Sequence, residues 1–202
     1  MSIKNIIFDI GNVLLKWSPI EIVIKTFPEH HNHQQLTIQL AKSQIWFDLN
    51  LGKITEKQAI SLYHQVLGID VIKLEELMFN VKESLIPIEG SLKLLNKLYK
   101  IDISLYTITD NVKEIVSYIK QKYDFWHKFK GSAVSAEIGF LKPAPEIYLH
   151  LLDTYNLIPQ ECVFIDDIKC NVRGAQNANM FSFQFTNSKA CTDRLKKLGV
   201  NV

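Results

Sequence analysis

Five short runs rich in apolar and β-branched residues stand out along the chain: residues 5–9, 101–107, 131–135, 162–166 and 180–185. Between and after them, apolar positions recur at helical spacing over residues 91–99, 112–120, 145–155 and 171–178. Short strands alternating with helices predict an α/β fold, a doubly wound, Rossmann-like parallel sheet of five strands.

The alternation is interrupted once. From residue 18 to residue 85 the pattern is helical throughout, far longer than one crossover requires. Thr55-Glu56-Lys57-Gln58 has the form of a helix start, and Ile60, Tyr63, His64 and Leu67 follow at helical spacing until Gly68. A further amphipathic segment, residues 71–85, is stopped by Pro87. The chain is therefore expected to divide into a core domain, residues 1–17 and 86–202, and an inserted helical cap domain, residues 18–85.

Two of the strand-like runs end on carboxylates: Asn5-Ile6-Ile7-Phe8-Asp9 and Cys162-Val163-Phe164-Ile165-Asp166-Asp167. A carboxylate closing an apolar run is costly unless it is paired or bound to a cation. Ligands bind at the carboxyl ends of parallel strands. Three acids converging there suggest a hard cation with oxygen ligands, Mg²⁺ above all. The plainer alternative is that each Asp caps the helix that follows.

Four segments, in order, resemble the motifs of the haloacid dehalogenase (HAD) superfamily. Phe8-Asp9-Ile10-Gly11-Asn12-Val13-Leu14 is similar to motif I, and Thr107-Ile108-Thr109-Asp110-Asn111 to motif II. Gly139-Phe140-Leu141-Lys142-Pro143-Ala144-Pro145 is similar to motif III, and Val163-Phe164-Ile165-Asp166-Asp167 followed by Asn171 to motif IV. The helical insertion matches the superfamily's cap between motifs I and II. The resemblance implies a Mg²⁺-dependent phosphatase. Asp9 would be the nucleophile, and Thr109, Asp110, Asn111 and Lys142 would contact the phosphate. Asp9, Asp166, Asp167 and the Gly11 carbonyl would hold the metal. Helix-start N–H groups after Thr109 would assist. Thr109 also reads as a helix N-cap, and Lys142 as a solvated surface lysine.

Two positions depart from the superfamily's pattern. Many of its phosphatases carry an aspartate two residues after the nucleophile, which protonates the leaving group; this chain has Gly11. Loss of that acid favours substrates with good leaving groups, among them anomeric sugar phosphates and aryl phosphates. Asp110 stands where relatives often have Asn, and is the nearest substitute acid. A capped subset that includes a bacterial α-D-glucose-1-phosphate phosphatase shares the glycine and the Asp-Asp pair.

Composition narrows the picture further. Formal net charge is +2 with 22% charged residues, too little for a nucleic-acid or membrane-surface partner. The start, Met-Ser-Ile-Lys-Asn, lacks a signal peptide's layout. Cys162, Cys170 and Cys191 have no metal-ligand spacing and suit reduced thiols in the cytoplasm. The expected partner is a small phosphorylated metabolite, and nothing indicates monomer or homodimer. His30, His31 and His33 read as a polar loop, Arg194, Lys196 and Lys197 as a solvated terminal face, and Trp17, Trp46 and Phe47 as core before pocket. Competing readings are a metal-free dehalogenase using the same Asp9, which would leave the Asp166-Asp167 pair uncompensated, and a non-catalytic binding protein, for which Gly11 is the best support.

Overall fold

The computed structural model describes residues 2–101 and 103–202. Strands β1 (Asn5–Phe8), β2 (Ser104–Thr109), β3 (Gly131–Val134), β4 (Cys162–Asp166) and β5 (Phe181–Gln184) form one sheet. Its order is β3-β2-β1-β4-β5, and every pairing is parallel. The expected α/β fold is the one observed. β2 starts at Ser104, the residue that pairs with Asn5, rather than at residue 101.

Side chains alternate between the two faces of the sheet. Ile6, Phe8, Leu105, Val163 and Ile165 join one buried cluster, and Ile7, Tyr106, Ile108 and Phe164 join the other. The first face is covered by α6 (Glu89–Tyr99), α7 (Lys113–Lys122) and α11 (Ser188–Lys197), through Leu94, Leu95, Ile115, Ile119, Cys191 and Leu195. The second is covered by α9 (Pro145–Thr154) and α10 (Lys169–Asn177), through Ile147, Leu151 and Ala175. A short helix, α8 (Ser135–Ile138), follows β3. Burial on both faces suits the apolar runs of the central strands.

Five helices lie between β1 and α6: α1 (Pro19–Thr26), α2 (His33–Ala41), α3 (Gln44–Asn50), α4 (Glu56–Leu67) and α5 (Val71–Glu83). The start of α4 is a capping box, with Thr55 and Gln58 each bonded to the other's backbone, and Gly68 ends it at φ 65°. Buried Tyr63 donates its hydroxyl to the Leu40 carbonyl at 2.7 Å, tying α4 to α2. Asn80 donates to the Thr26 hydroxyl at 3.0 Å, joining α5 to α1. The apolar residues of these helices are continuous with the first sheet-face cluster. His33 opens α2 instead of lying in a loop, because Asn32 accepts from the Gln35 N–H and caps the helix. Among the described residues no helix is long and apolar enough to cross a membrane.

Candidate active site

The sheet places the chemistry. β1 lies between β2 and β4, with Phe8 opposite both Thr107 and Ile165. The next residue in each strand direction therefore brings Asp9 beside Asp166. The Asp9 N–H donates to the Ile165 carbonyl at 2.9 Å, which holds Asp9 in the sheet's frame. One ligand oxygen each from Asp9, Asp166 and Asp167 lie within 4.8 Å of one another. Asp9 is 7% exposed and Asp166 fully buried.

Lys142 enters this acidic group from the loop before α9. Its Nζ lies 2.8 Å from Asp9 Oδ1 and 2.8 Å from Asp166 Oδ2, and also donates to the Ile108 carbonyl at 3.3 Å. It is buried, so the reading of a solvated surface lysine does not hold. Burial alone would lower the Lys142 pKa, but Asp9, Asp166 and Asp110 more than offset it and raise it above the ordinary lysine value. Burial pushes Asp9 the other way, up to about 7, with Lys142 opposing and Asp166 reinforcing the rise. Asp167 is also raised, by burial and then by Asp166, with a hydrogen bond from Asn12 opposing.

The two acids of the motif IV pair have different surroundings. Asp166 Oδ1 accepts from the Ile168 N–H at 2.7 Å and the Asn171 amide at 3.2 Å, and Oδ2 from the same amide at 3.1 Å as well as from Lys142. Asp167 instead lines the pocket together with Asp9, Asn12 and Thr109. Four acids, Asp9, Asp110, Asp166 and Asp167, thus surround one lysine. Negative charge is left in excess where oxygen ligands converge, and the donor set fits a hard divalent cation.

Thr109 ends β2, is 1% exposed, and lines the pocket. Its hydroxyl has no protein partner among the described residues, which leaves it open to a bound group. Asp110 lines the same pocket, but its Oδ1 accepts from the Lys142 N–H at 3.0 Å. Burial raises the Asp110 pKa, with Lys142 opposing. Asn111 also lines the pocket. Its N–H donates to Ser135 Oγ at 2.8 Å, and the Val112 N–H donates to Asn111 Oδ1 at 3.0 Å. Two of the helix-start N–H groups expected to face a phosphate are therefore occupied. Lys113, not residue 112, opens α7.

Gly11 is not a site of strained backbone. A Cβ there would meet only Trp17 Cβ, at 3.8 Å. The left-handed residue is Asn12, at φ 52°, which asparagine tolerates. Asn12 Oδ1 accepts from the Trp17 N–H at 2.9 Å and turns Trp17 toward the cavity.

The cavity has a volume of about 290 Å³. Trp17, Trp46 and Phe47, expected to be core before pocket, all line it. The two indoles also pack against the core cluster, so both readings hold for them. They stack at 5.9 Å with 12° between their planes. Asn50 and Leu85 line the cavity with them, and Ile115 of α7 and Ile168 at the start of α10 line it from the core. Asn171, already part of the motif IV resemblance, holds Asp166. Nothing in the local pattern marks Asn50 or Leu85.

Comparison with known proteins agrees with the geometry. The family profile described as haloacid dehalogenase-like hydrolase matches residues 6–185. The chain is 26% identical over 201 residues to a sesquiterpene phosphatase, astK, of Aspergillus oryzae, covering 96% of each protein. It is 27% identical over 159 residues to flavin mononucleotide hydrolase 1 of Arabidopsis thaliana, covering 78% of this chain and 63% of that one. A HAD family enzyme of Bacteroides thetaiotaomicron, solved with magnesium and inorganic phosphate, superposes with a TM-score of 0.76 at 22% identity, covering 92% of this chain and 95% of that one. That last likeness is one of fold. With the profile spanning most of its length, the chain belongs to the haloacid dehalogenase-like hydrolases.

Proposed function

We propose that this hydrolase is a Mg²⁺-dependent phosphatase that acts on a small phosphorylated metabolite through an aspartyl-phosphate intermediate. The observation that carries the reading is the buried Lys142 bonded at 2.8 Å to Asp9, beside three acids whose ligand atoms lie within 4.8 Å. Phosphatase and flavin mononucleotide hydrolase relatives support phosphomonoester chemistry. We take residues 18–85 as the cap and the remainder as the core, with the pocket at their junction. The free cysteines suit a cytoplasmic setting.

A carboxylate oxygen of Asp9 attacks phosphorus, the phosphorus–oxygen ester bond breaks, and the electron pair leaves with the alcohol oxygen. Water then attacks the aspartyl phosphate, which returns the Asp9 carboxylate and releases inorganic phosphate. Lys142 stays charged because its carboxylate neighbours raise its pKa, so it neutralises Asp9 and the phosphoryl oxygens together. Thr109 donates its hydroxyl to the phosphoryl group. Mg²⁺, held by Asp9, Asp166, Asp167 and the Gly11 carbonyl, would supply positive charge between two approaching anions. Asp110 fixes the Lys142 backbone, and we assign it positioning rather than proton transfer.

A dehalogenase reading leaves the acids of the pocket uncompensated. Release of inorganic phosphate from phosphomonoesters should require Mg²⁺ and stop in EDTA; full activity in EDTA would overturn the proposal. A sugar phosphate satisfies the leaving-group argument at Gly11, and an aryl phosphate satisfies it equally.

A further inference from the structure

The cavity lining is of two kinds. Its acidic and hydroxyl groups Asp9, Thr109 and Asp167 lie at the strand ends, with Lys142 reaching in from the loop before α9, where the phosphate belongs. A second, apolar group of lining residues, Trp17, Trp46, Phe47 and Leu85, comes from the inserted segment and its two borders. Asn50 is the polar side chain on that wall, and its amide already donates to the Trp46 carbonyl at 2.8 Å. A sugar ring placed there would bury several hydroxyls against groups that cannot bond to them, which is costly. The stacked indoles offer a flat apolar surface, and Phe47, 49% exposed, extends it.

A second observation is independent of the wall. Gly11 leaves the site without the acid that would protonate a departing alkoxide, and Trp17 Cβ lies near where that side chain would begin. The ester oxygen must therefore leave as an anion stable by itself. A phenolate meets that requirement and is also planar and apolar.

We propose that the substrate is an aryl phosphate monoester whose ring lies against the Trp17–Trp46 stack. This rests on the phosphatase reading above. As the Asp9 oxygen–phosphorus bond forms, the phosphorus–oxygen bond to the ring breaks. The electron pair leaves on the phenolate, which takes its proton from solvent. Trp17 and Trp46 are specificity residues that touch the leaving group and take no part in the bond changes.

The test uses the full chain with Mg²⁺, four esters (phenyl, 1-naphthyl, octyl and glucose 1-phosphate) and the acyl phosphate acetyl phosphate. Phenyl and 1-naphthyl phosphate have closely matched leaving groups and differ in apolar area, so kcat/KM should rise about tenfold from the first to the second. Both should exceed glucose 1-phosphate and octyl phosphate. The ratio of 1-naphthyl to acetyl phosphate should fall about tenfold in Trp46→Ala and recover in Trp46→Phe. In Asp9→Asn, calorimetry should show 1-naphthyl phosphate binding more tightly than phenyl phosphate, apart from any turnover. If Trp46→Ala does not fold, Phe47→Ala and the wild-type series still decide. A naphthyl ester no better than the phenyl ester, or glucose 1-phosphate or octyl phosphate above both, overturns the proposal. Acetyl phosphate hydrolysed while aryl esters are not would overturn this assignment and leave the phosphatase reading intact. No hydrolysis of any of the five compounds with Mg²⁺ would overturn both.

Discussion

In one part of the pocket lining, Lys142 Nζ lies 2.8 Å from both Asp9 and Asp166; in another, the Trp17 and Trp46 rings stack at 5.9 Å. The charged floor is held by bonds that over-determine it. Asp166 is gripped by Lys142, Asn171 and the Ile168 N–H, and Asp110 holds the Lys142 backbone. The apolar wall is held by packing, with α3 tied to the core through the Asn50 carbonyl, which accepts from Ser135 Oγ at 2.7 Å. That same Ser135 Oγ accepts from the Asn111 N–H, so wall and floor share one hydroxyl. On the proposed mechanism the two serve different roles, the floor bond-making and the aromatic wall of Trp17, Trp46 and Phe47 the choice of ester.

The largest effect should come from the floor. Asp9→Asn should lower kcat on the order of 10⁴ or more, as loss of a nucleophile does. It should leave the stacked wall, and hence aryl-ester binding, in place. Turnover near wild type would show that floor chemistry does not run through Asp9.

Gly11→Asp sharpens the comparison at the border of the two regions. The backbone there is not left-handed, and the added Cβ meets only Trp17 Cβ at 3.8 Å, so the variant should fold. If the new carboxyl protonates the leaving oxygen, kcat/KM for alkyl esters should rise by about 10²–10⁴ while aryl esters change little. The dependence on leaving-group pKa, measured across graded esters, should flatten. An unchanged slope would mean that proton delivery does not limit the reaction; a slope that appears only after Asp110→Asn would return the acid role to Asp110.

Gly52→Ala tests how the wall is attached. Gly52 sits at φ +69° just after α3, and a Cβ there would lie 2.0 Å from the Ala136 carbonyl oxygen. The inserted helices would have to shift from α8. The expected cost is about 1–3 kcal/mol in urea unfolding. Loss of aryl selectivity should exceed loss of acetyl phosphate hydrolysis. Equal losses would join floor and wall into one unit.

The smallest effect concerns the floor without metal. Asp9 titrates near 7 when folded, against 3.8 as a free side chain, because burial disfavours its charge. Between those values the folded chain keeps a proton that the unfolded chain has released. In EDTA, stability should therefore fall as pH rises from about 4 to about 7, and Asp9→Asn should remove part of that slope. Thermal unfolding of both proteins across this range gives the measurement, and identical slopes would contradict it.

Residue order along the chain was enough for the strand ends. An apolar run closing on Asp9 or on Asp166-Asp167 fixes its own geometry, because strand, turn and helix start are neighbours in sequence. The capping box at Thr55 and the left-handed Gly68 were legible for the same reason: each is a local bond or a local torsion. The partners that occupy the Asn111 and Val112 N–H groups were less so, since one donates to residue 135 and only the other stays within the motif. The wall was least legible of all. Trp17, Trp46, Leu85 and Ile115 come from different elements, and an apolar side chain looks alike in sequence whether it faces a core or a cavity. Only the docking of the inserted helices on the sheet, driven by non-directional apolar burial, decides which of them are left to face a ligand.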